Sequence, residues 1–480
     1  MSLANAFNTA VTGLQASARG VGVTSSNIAN AMVDGHAARK LHLGTAPGGS
    51  GGVTVNAITR QTDPAMAGLL RQAASDSAKA APVATFLNQM EARFGLPGDD
   101  SGLAGRAAAL ESALSDAADR PDLDYRLTAV AEAAEKLVAG FNGMERDIQA
   151  QRLSADRAIA REVETLNTGL EEIARLNAAI LGSDRNGPLA LDLLDRRDQQ
   201  IAELSRVVPI QTLPRANGQL ALYTSSGEML LDGTRPVRIG FSPSPGMTAA
   251  QSATNGGLSG LTADGRPVSA LPGGTLDGGA LAAQFTIRDE TAPALQSALD
   301  TLATGLLQRF QAPGIDPSLP AGAMGLFSDN GAPAGTAPSP GVAGRLAINP
   351  LISAAGDNEA WRLRDGLGAA APGAVGDPSQ LQRWMGALDA PVQTVPGGAQ
   401  RSFSDQIGHA AGELSMSRQN AENRQVAAES RLGTLRDAAT AAGIDTDAEL
   451  QTLLMQEKAY TANARTLQVI DDLFRRLLEI

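Results

Sequence analysis

The stretch MERDIQAQRLSADRAIAREVETLNTGLEEIARLNAAILG, residues 144–182, decides the fold class. Ile148, Leu153, Ile159, Val163, Leu166, Leu170, Ile173, Leu176 and Ile180 recur along it at helical spacing, which predicts one extended amphipathic helix. The same pattern extends N-terminally to about Asp63, through Leu69, Leu70 and Ala73, then Phe86, Leu87, Met90 and Phe94. It continues through Leu110 and Leu114, then Leu127, Val130, Leu137 and Phe141. Breaks are expected at 95–102, at Arg120-Pro121 and at 182–188, where Gly and Pro collect. Beyond Val207 the period changes. Val208 to Leu213, Asn217-Gly218, Leu220 to Tyr223, Ser226-Gly227 and Asp232-Gly233 read as short strands and turns. Residues 242–280 read as loop. Helical spacing returns at Leu295, Leu299, Leu302, Leu306 and Phe310, and again from about Phe403 to Ala442. Residues 313–350 are rich in Pro and Gly.

Composition narrows the function classes. Hydrophobic residues make up 43% of the 480, enough for a core, but aromatic residues only 3%. Rings supply much of the contact area in compact pockets, so packing along Ala/Leu helix seams is expected instead. A net charge of −12, with basic residues scattered among acids as in Arg161-Glu162 and Arg364-Asp365, argues against nucleic acid as a partner. Cysteine is absent, which excludes disulfides, thiolate metal sites and cysteine nucleophiles. His36, His42 and His409 are too dispersed to suggest a helical ligand pair. The first thirty residues lack the cationic start and apolar run of a secretory signal. No run of about 18 apolar residues suggests a membrane span. No cofactor and no catalytic or metal site is expected.

The two ends form a matched pair. Phe7, Leu14, Val21 and Ile28 fall every seven residues, with Leu3, Ala10, Val11 and Ala18 on the same side; Ser2 is a candidate N-cap and Gly35 a stop. Near the C-terminus Leu453, Tyr460, Leu467 and Phe474 repeat that spacing, beside Leu450, Ile470 and Leu477. Four large apolar side chains do not compensate for ordering some thirty residues. Each helix therefore needs a partner along its length, either the other terminus or a neighbouring subunit.

Several motifs give that reading a context. Gly13-Leu14, then Ser26-Asn27-Ile28-Ala29-Asn30 and Gly35, resembles the signature shared by flagellar rod, hook and hook-associated proteins; His36 stands where that family usually has Tyr. Leu191 to Asp198 leading to Leu204-Ser205 and Val207-Val208 is similar to the helix-to-strand junction of the hook-associated members. The likeness continues through Gly278 to Leu281, Phe285, Arg288-Asp289 and Gly325-Leu326-Phe327. It ends with Gly443-Ile444-Asp445, Glu449-Leu450, Gln456, Ala459-Tyr460 and Ala462-Asn463-Ala464. Asp447-Ala448 replaces a more usual acidic pair, and 328–345 is too short for the β insertion of larger members.

The resemblance implies a mainly α, elongated multidomain axial protein whose terminal helices pair in a coiled-coil-like inner domain. The expected inner domain is 1–45 with 443–480, and the helical bundle 63–205 with 291–312 and 355–442. A small β region is expected at 206–290 and a reduced insertion at 313–350. It also implies a junction subunit between hook and filament, exported unfolded through the flagellar type III apparatus without a cleaved signal and lying outside the cell. Implied partners are further copies of itself in a ring, the hook protein, the second hook-associated junction protein and an export chaperone, without membrane insertion. The residues implied in assembly are Leu3, Phe7, Val11, Leu14, Val21, Asn27, Ile28 and Asn30 with Leu450, Leu453, Tyr460, Asn463, Leu467, Ile470, Phe474 and Leu477. The alternatives are another axial subunit, against which the length of the 63–205 helical region argues, and a non-flagellar helical adaptor.

Two other motifs are weaker. Gly48-Gly49-Ser50-Gly51-Gly52 matches G-x-S-x-G, but its glycines predict a loop and not a nucleophile elbow. Asp192, Asp195 and Asp198 share a helix face and could gather a divalent cation. Arg196 and Arg197 beside them favour a solvated charged face.

Overall fold

The computed structural model describes residues 3–33, 35–45, 52–95, 99–184, 187–335, 338–393 and 398–478. Helix α1 (Leu3–Ala29) leads into an antiparallel hairpin, β1 (Ala38–Thr45) and β2 (Val53–Gln61). Four helices follow: α2 (Pro64–Phe94), α3 (Leu103–Asp119), α4 (Asp124–Gly182) and α5 (Pro188–Leu204). Asp63 starts α2, its carboxylate accepting from the amides of Ala65 and Met66 while Pro64 occupies the first turn. With 59 residues, α4 is a rod of about 88 Å and the long axis of the body.

A four-stranded antiparallel sheet comes next, β3 (Ile210–Pro214), β4 (Leu220–Thr224), β5 (Met229–Asp232) and β6 (Arg235–Pro236), in sequence order. A second sheet holds β7 (Ile239–Gly240), β8 (Leu261–Ala263) and β9 (Arg266–Val268). Then α6 (Gly279–Thr286) passes through a π-helical turn at Ile287–Thr291 into α7 (Ala292–Phe310). The remainder is β10 (Phe327–Asp329), α8 (Val342–Arg345), β11 (Leu346–Ile348), α9 (Arg362–Asp365), α10 (Ser379–Asp389), α11 (Phe403–Ala441) and α12 (Thr446–Leu478). The chain is thus mainly helical with a small β region and long helices at both ends.

Two apolar cores lie along α4. Its first part, with α2, α3, α7, α10 and α11, encloses Leu110, Leu137, Phe141, Phe310, Trp384 and Phe403. Phe310 stacks on Trp384 at 5.6 Å between centroids and meets Phe327 edge-on at 5.0 Å. The second part, with α5, α6 and the sheets, encloses Leu166, Leu170, Ile201, Leu222 and Leu281. Where one cluster gives way to the other, α4 turns polar groups inward. Arg152 and Asp156 are fully buried, and the Arg288 guanidinium from the π turn reaches the Asp156 carboxylate at 2.7 Å. Arg152 donates to the carbonyl oxygens of Arg288, Thr248 and Gln251. From Gln149 the network passes to Gln296 and Asp300, and Asp300 accepts the amides of Gly341 and Ala343 at the start of α8. Every charge here has partners, the condition under which such a layer is tolerated in a core.

Several expectations need correction. The β region ends at Val268, not near 290. The backbone of Gly279 (φ +67°) lies against the Val207 carbonyl, where a Cβ would come within 2.2 Å, and a helix starts from that contact. The expected loop at 242–280 contains the β8–β9 hairpin, turned at Asp264-Gly265 with both residues at positive φ. The insertion at 313–350 carries the β10–β11 pair. Leu153 is only half-buried, since Arg152 and Asp156 face inward around it. Ser2 and Gly48 to Gly51 lie outside the described residues, so neither the N-cap nor the G-x-S-x-G reading is addressed.

Candidate assembly interface

Helices α1 and α12 pack against each other in antiparallel register. Gly13 faces Asn463, Gly20 faces Gln456 and Asn27 reaches Glu449, three meetings spaced seven residues apart on both helices. A Cβ on Gly13 would lie 2.8 Å from the Asn463 amide, and one on Gly20 would lie 2.9 Å from Gln456. Glycine lets the two backbones close on long polar side chains there. Thr24 adds a hydrogen bond to Gln456 at 3.3 Å. The seam is small and polar, the kind that specifies register at some cost in stability.

The apolar stripe read from the sequence lies one position round from this seam. Leu3, Val11, Leu14, Val21 and Ile28 are half-buried and Phe7 is 46% exposed. On α12, Leu453 and Leu467 are half-buried, Leu450 is exposed, and Tyr460 and Phe474 are each 41% exposed. Leu454, Met455, Val469 and Leu473 are also exposed. Asn27 and Ile470 are buried; Asn30 is half-buried and turns back on the Ser26 carbonyl. Asn463 is half-buried in the seam, and the Leu477 side chain lies outside the described residues. Ala10, Ala16 and Ile470 are the fully buried apolar side chains of the pair among the described residues.

Gly20, Thr24 and Gln456 pack in the seam although they lie outside the apolar heptad series from which the sequence expectation was built. The available signal was the second heptad series, Gly13, Gly20 and Asn27, matched by Glu449, Gln456 and Asn463.

At the root of the pair, the buried Asn27 amide donates to the Arg39 carbonyl and accepts from the Arg39 amide, both at 2.9 Å. The Arg39 and Arg60 guanidiniums meet the acidic face of α5. Arg39 pairs with Asp192 at 2.5 Å and with Asp195 at 3.3 Å, and Arg60 with Asp195 and Asp198 at 2.7 Å each. The three aspartates are thus occupied by arginines, and no group of potential metal ligands occurs among the described residues. Burial holds His36 below its ordinary value, against the pull of Asp195 at 3.7 Å. No helix among the described residues is long and apolar enough to cross a membrane.

Residues 87–315 match the family model described as the flagellar hook-associated protein FlgK helical domain. Flagellar hook-associated protein 1 of Salmonella typhimurium strain LT2 is 27% identical over 252 residues, covering 50% of this chain and 45% of that protein. Its counterpart in Escherichia coli K12 is 24% identical over 251 residues, covering 50% and 46%. The chain spans less than half the length of these relatives in the match. The solved structure of the flagellar hook junction protein FlgK from Burkholderia pseudomallei overlaps 54% of this chain and 46% of its own, with 20% identity and a TM-score of 0.44.

Over about half of its length the chain is similar to the flagellar hook-associated proteins. Within that class the likeness is to FlgK, over the helical domain at 87–315.

Proposed function

We propose that this chain is a structural subunit of the flagellar axis at the hook–filament junction, polymerising through its terminal helices. The observation that carries the reading is the division of labour on α1 and α12. A polar seam pairs the helices within the chain, while Phe7, Leu454, Met455, Val469 and Leu473 remain outside for neighbouring copies to cover. Burying such side chains between subunits contributes about 1.5–3 kcal/mol each at most. Repeated around a ring, that is enough to order helices that are marginal alone. The FlgK likeness supports hook protein below, a second hook-associated protein above and self-association around the axis as the partners. It equally supports passage of the unfolded chain through the type III export apparatus, attended by a chaperone, and a position outside the cell. The reading assigns no catalysis.

A strain lacking the chain, complemented with either wild type or Phe7→Asp/Leu454→Asp, tests the proposal. Immunogold labelling of isolated hook–basal bodies should mark the distal hook in the wild type and leave it bare in the variant. The purified variant should keep a wild-type unfolding temperature. Wild-type chain found away from the hook tip, or a variant that still assembles and restores filaments, would overturn it.

A further inference from the structure

We propose that the ion pairs between the β1–β2 hairpin and α5 form an articulated joint, which sets the tilt of the hairpin and the helix rooted in it against the helical body. Arg39 and Arg60 are direct cross-strand partners. Two like charges in that position repel each other, so the hairpin requires an anion between them. Asp195 fills that place, only 14% exposed, with Asp192 and Asp198 on either side at three-residue spacing along α5. The hairpin is tied in turn to the terminal pair. Asn27 bonds both backbone groups of Arg39 and donates to Glu449 at 3.0 Å, so one buried amide links α1, α12 and β1.

What distinguishes this contact from the others in the chain is the lack of a shared core. Neither apolar cluster contains a described residue of α1, β1, β2 or α12. A continuous packed core resists reorientation, because its side chains interlock at crystal-like density. A contact made of charges holds one geometry while its pairs are intact and loosens when its outer members, Asp192 and Asp198 at 53% and 42% exposed, are screened or its covered centre, Asp195, is removed. The joint is a property of the isolated chain, so its test does not depend on the junction role.

The chain has no cysteine, which allows selective labelling. Spin labels at Thr45→Cys on β1 and Thr168→Cys on α4, both exposed positions, report the tilt by double electron–electron resonance on the full chain. Thr45 is six residues from Arg39, about 20 Å along a strand, so a change of about 20° moves it by roughly 7 Å. The expected result is one narrow distance distribution at low salt, broadened by about that amount in Asp195→Asn and restored to the narrow form in Asp195→Glu. Raising salt from about 20 mM to about 1 M, where the screening length falls to about 3 Å, should broaden the wild-type distribution as well. That arm needs no further substitution and decides the matter if Asp195→Asn fails to fold. A distribution already broad at low salt would overturn the proposal. So would one that stays narrow both in folded Asp195→Asn and in wild type at high salt.

Discussion

Helices α4 and α12 carry apolar residues at the same spacing, yet they end in opposite situations. On α4, Leu127, Leu137, Phe141, Ile148, Ile159, Leu166, Leu170 and Ile173 are all fully buried by elements of the same chain. On α12 only Ile470 among the described residues reaches that state. Heptad spacing reports that a helix has an apolar face; it does not report who covers the face. The body closes over its own face with large side chains, and the terminal pair closes over glycine, alanine and amides. The first arrangement buries its apolar face within a single copy, and the second leaves Leu454, Met455, Val469 and Leu473 exposed.

The difference can be broken most severely in the body. Phe310→Ala removes a ring stacked on Trp384 and packed on Phe327, and should cost about 3–5 kcal/mol in chemical unfolding of the body. Arg309→Met should cost less, about 1–3 kcal/mol. The buried Arg309 guanidinium, whose pKa burial lowers to about 10, donates to the carbonyl oxygens of Ala390, just past α10, and Arg401, just before α11, and they would lose their partner. Gly20→Leu forces a side chain into Gln456 and should weaken the terminal pair by about 1–2 kcal/mol while the body's unfolding temperature stays put. An equal loss of body stability would show that the two regions fold as one unit.

A smaller effect is expected from pH. Burial raises Asp300 above its ordinary value, outweighing the amides of Ala343 and Gly341 that favour its charged form. A carboxyl raised on folding contributes stability that is full below its unfolded value, about 4, and lost as pH rises through the folded value. Asp300→Asn should therefore flatten the decline of body stability with pH just above 4, measured as urea midpoints across that range. An unchanged slope would show that Asp300 does not titrate differently in the two states. Smallest of all, Leu454→Ser on the exposed face of α12 should change monomer stability by no more than about 0.5 kcal/mol.

Much of the fold was legible because its helices are long and their apolar faces large. The start of α11 follows directly from Ser402, whose hydroxyl accepts the Asp405 amide, and the end of α3 from Pro121. The polar layer on α4 was not legible. Arg152 and Asp156 read as a solvent face, and their partner Arg288 lies more than 130 residues away. Helix α6 was hidden behind Gly278-Gly279, which reads as loop until the Val207 carbonyl is placed against it. The β8–β9 hairpin could have been found from Asp264-Gly265. At the terminal pair, the register of 13, 20 and 27 with 463, 456 and 449 was written in plain residues, but as glycines and amides it does not resemble packing.

Hydrogen exchange of the full chain in dilute monomeric solution bears most directly on the claim that the terminal helices complete their folding against neighbours. Amides of α1 and α12 should be protected roughly a hundredfold less than those of central α4, equivalent to opening at about 3 kcal/mol lower cost, and should gain protection on assembly. Protection in α1 and α12 equal to that of α4 in the monomer would contradict it.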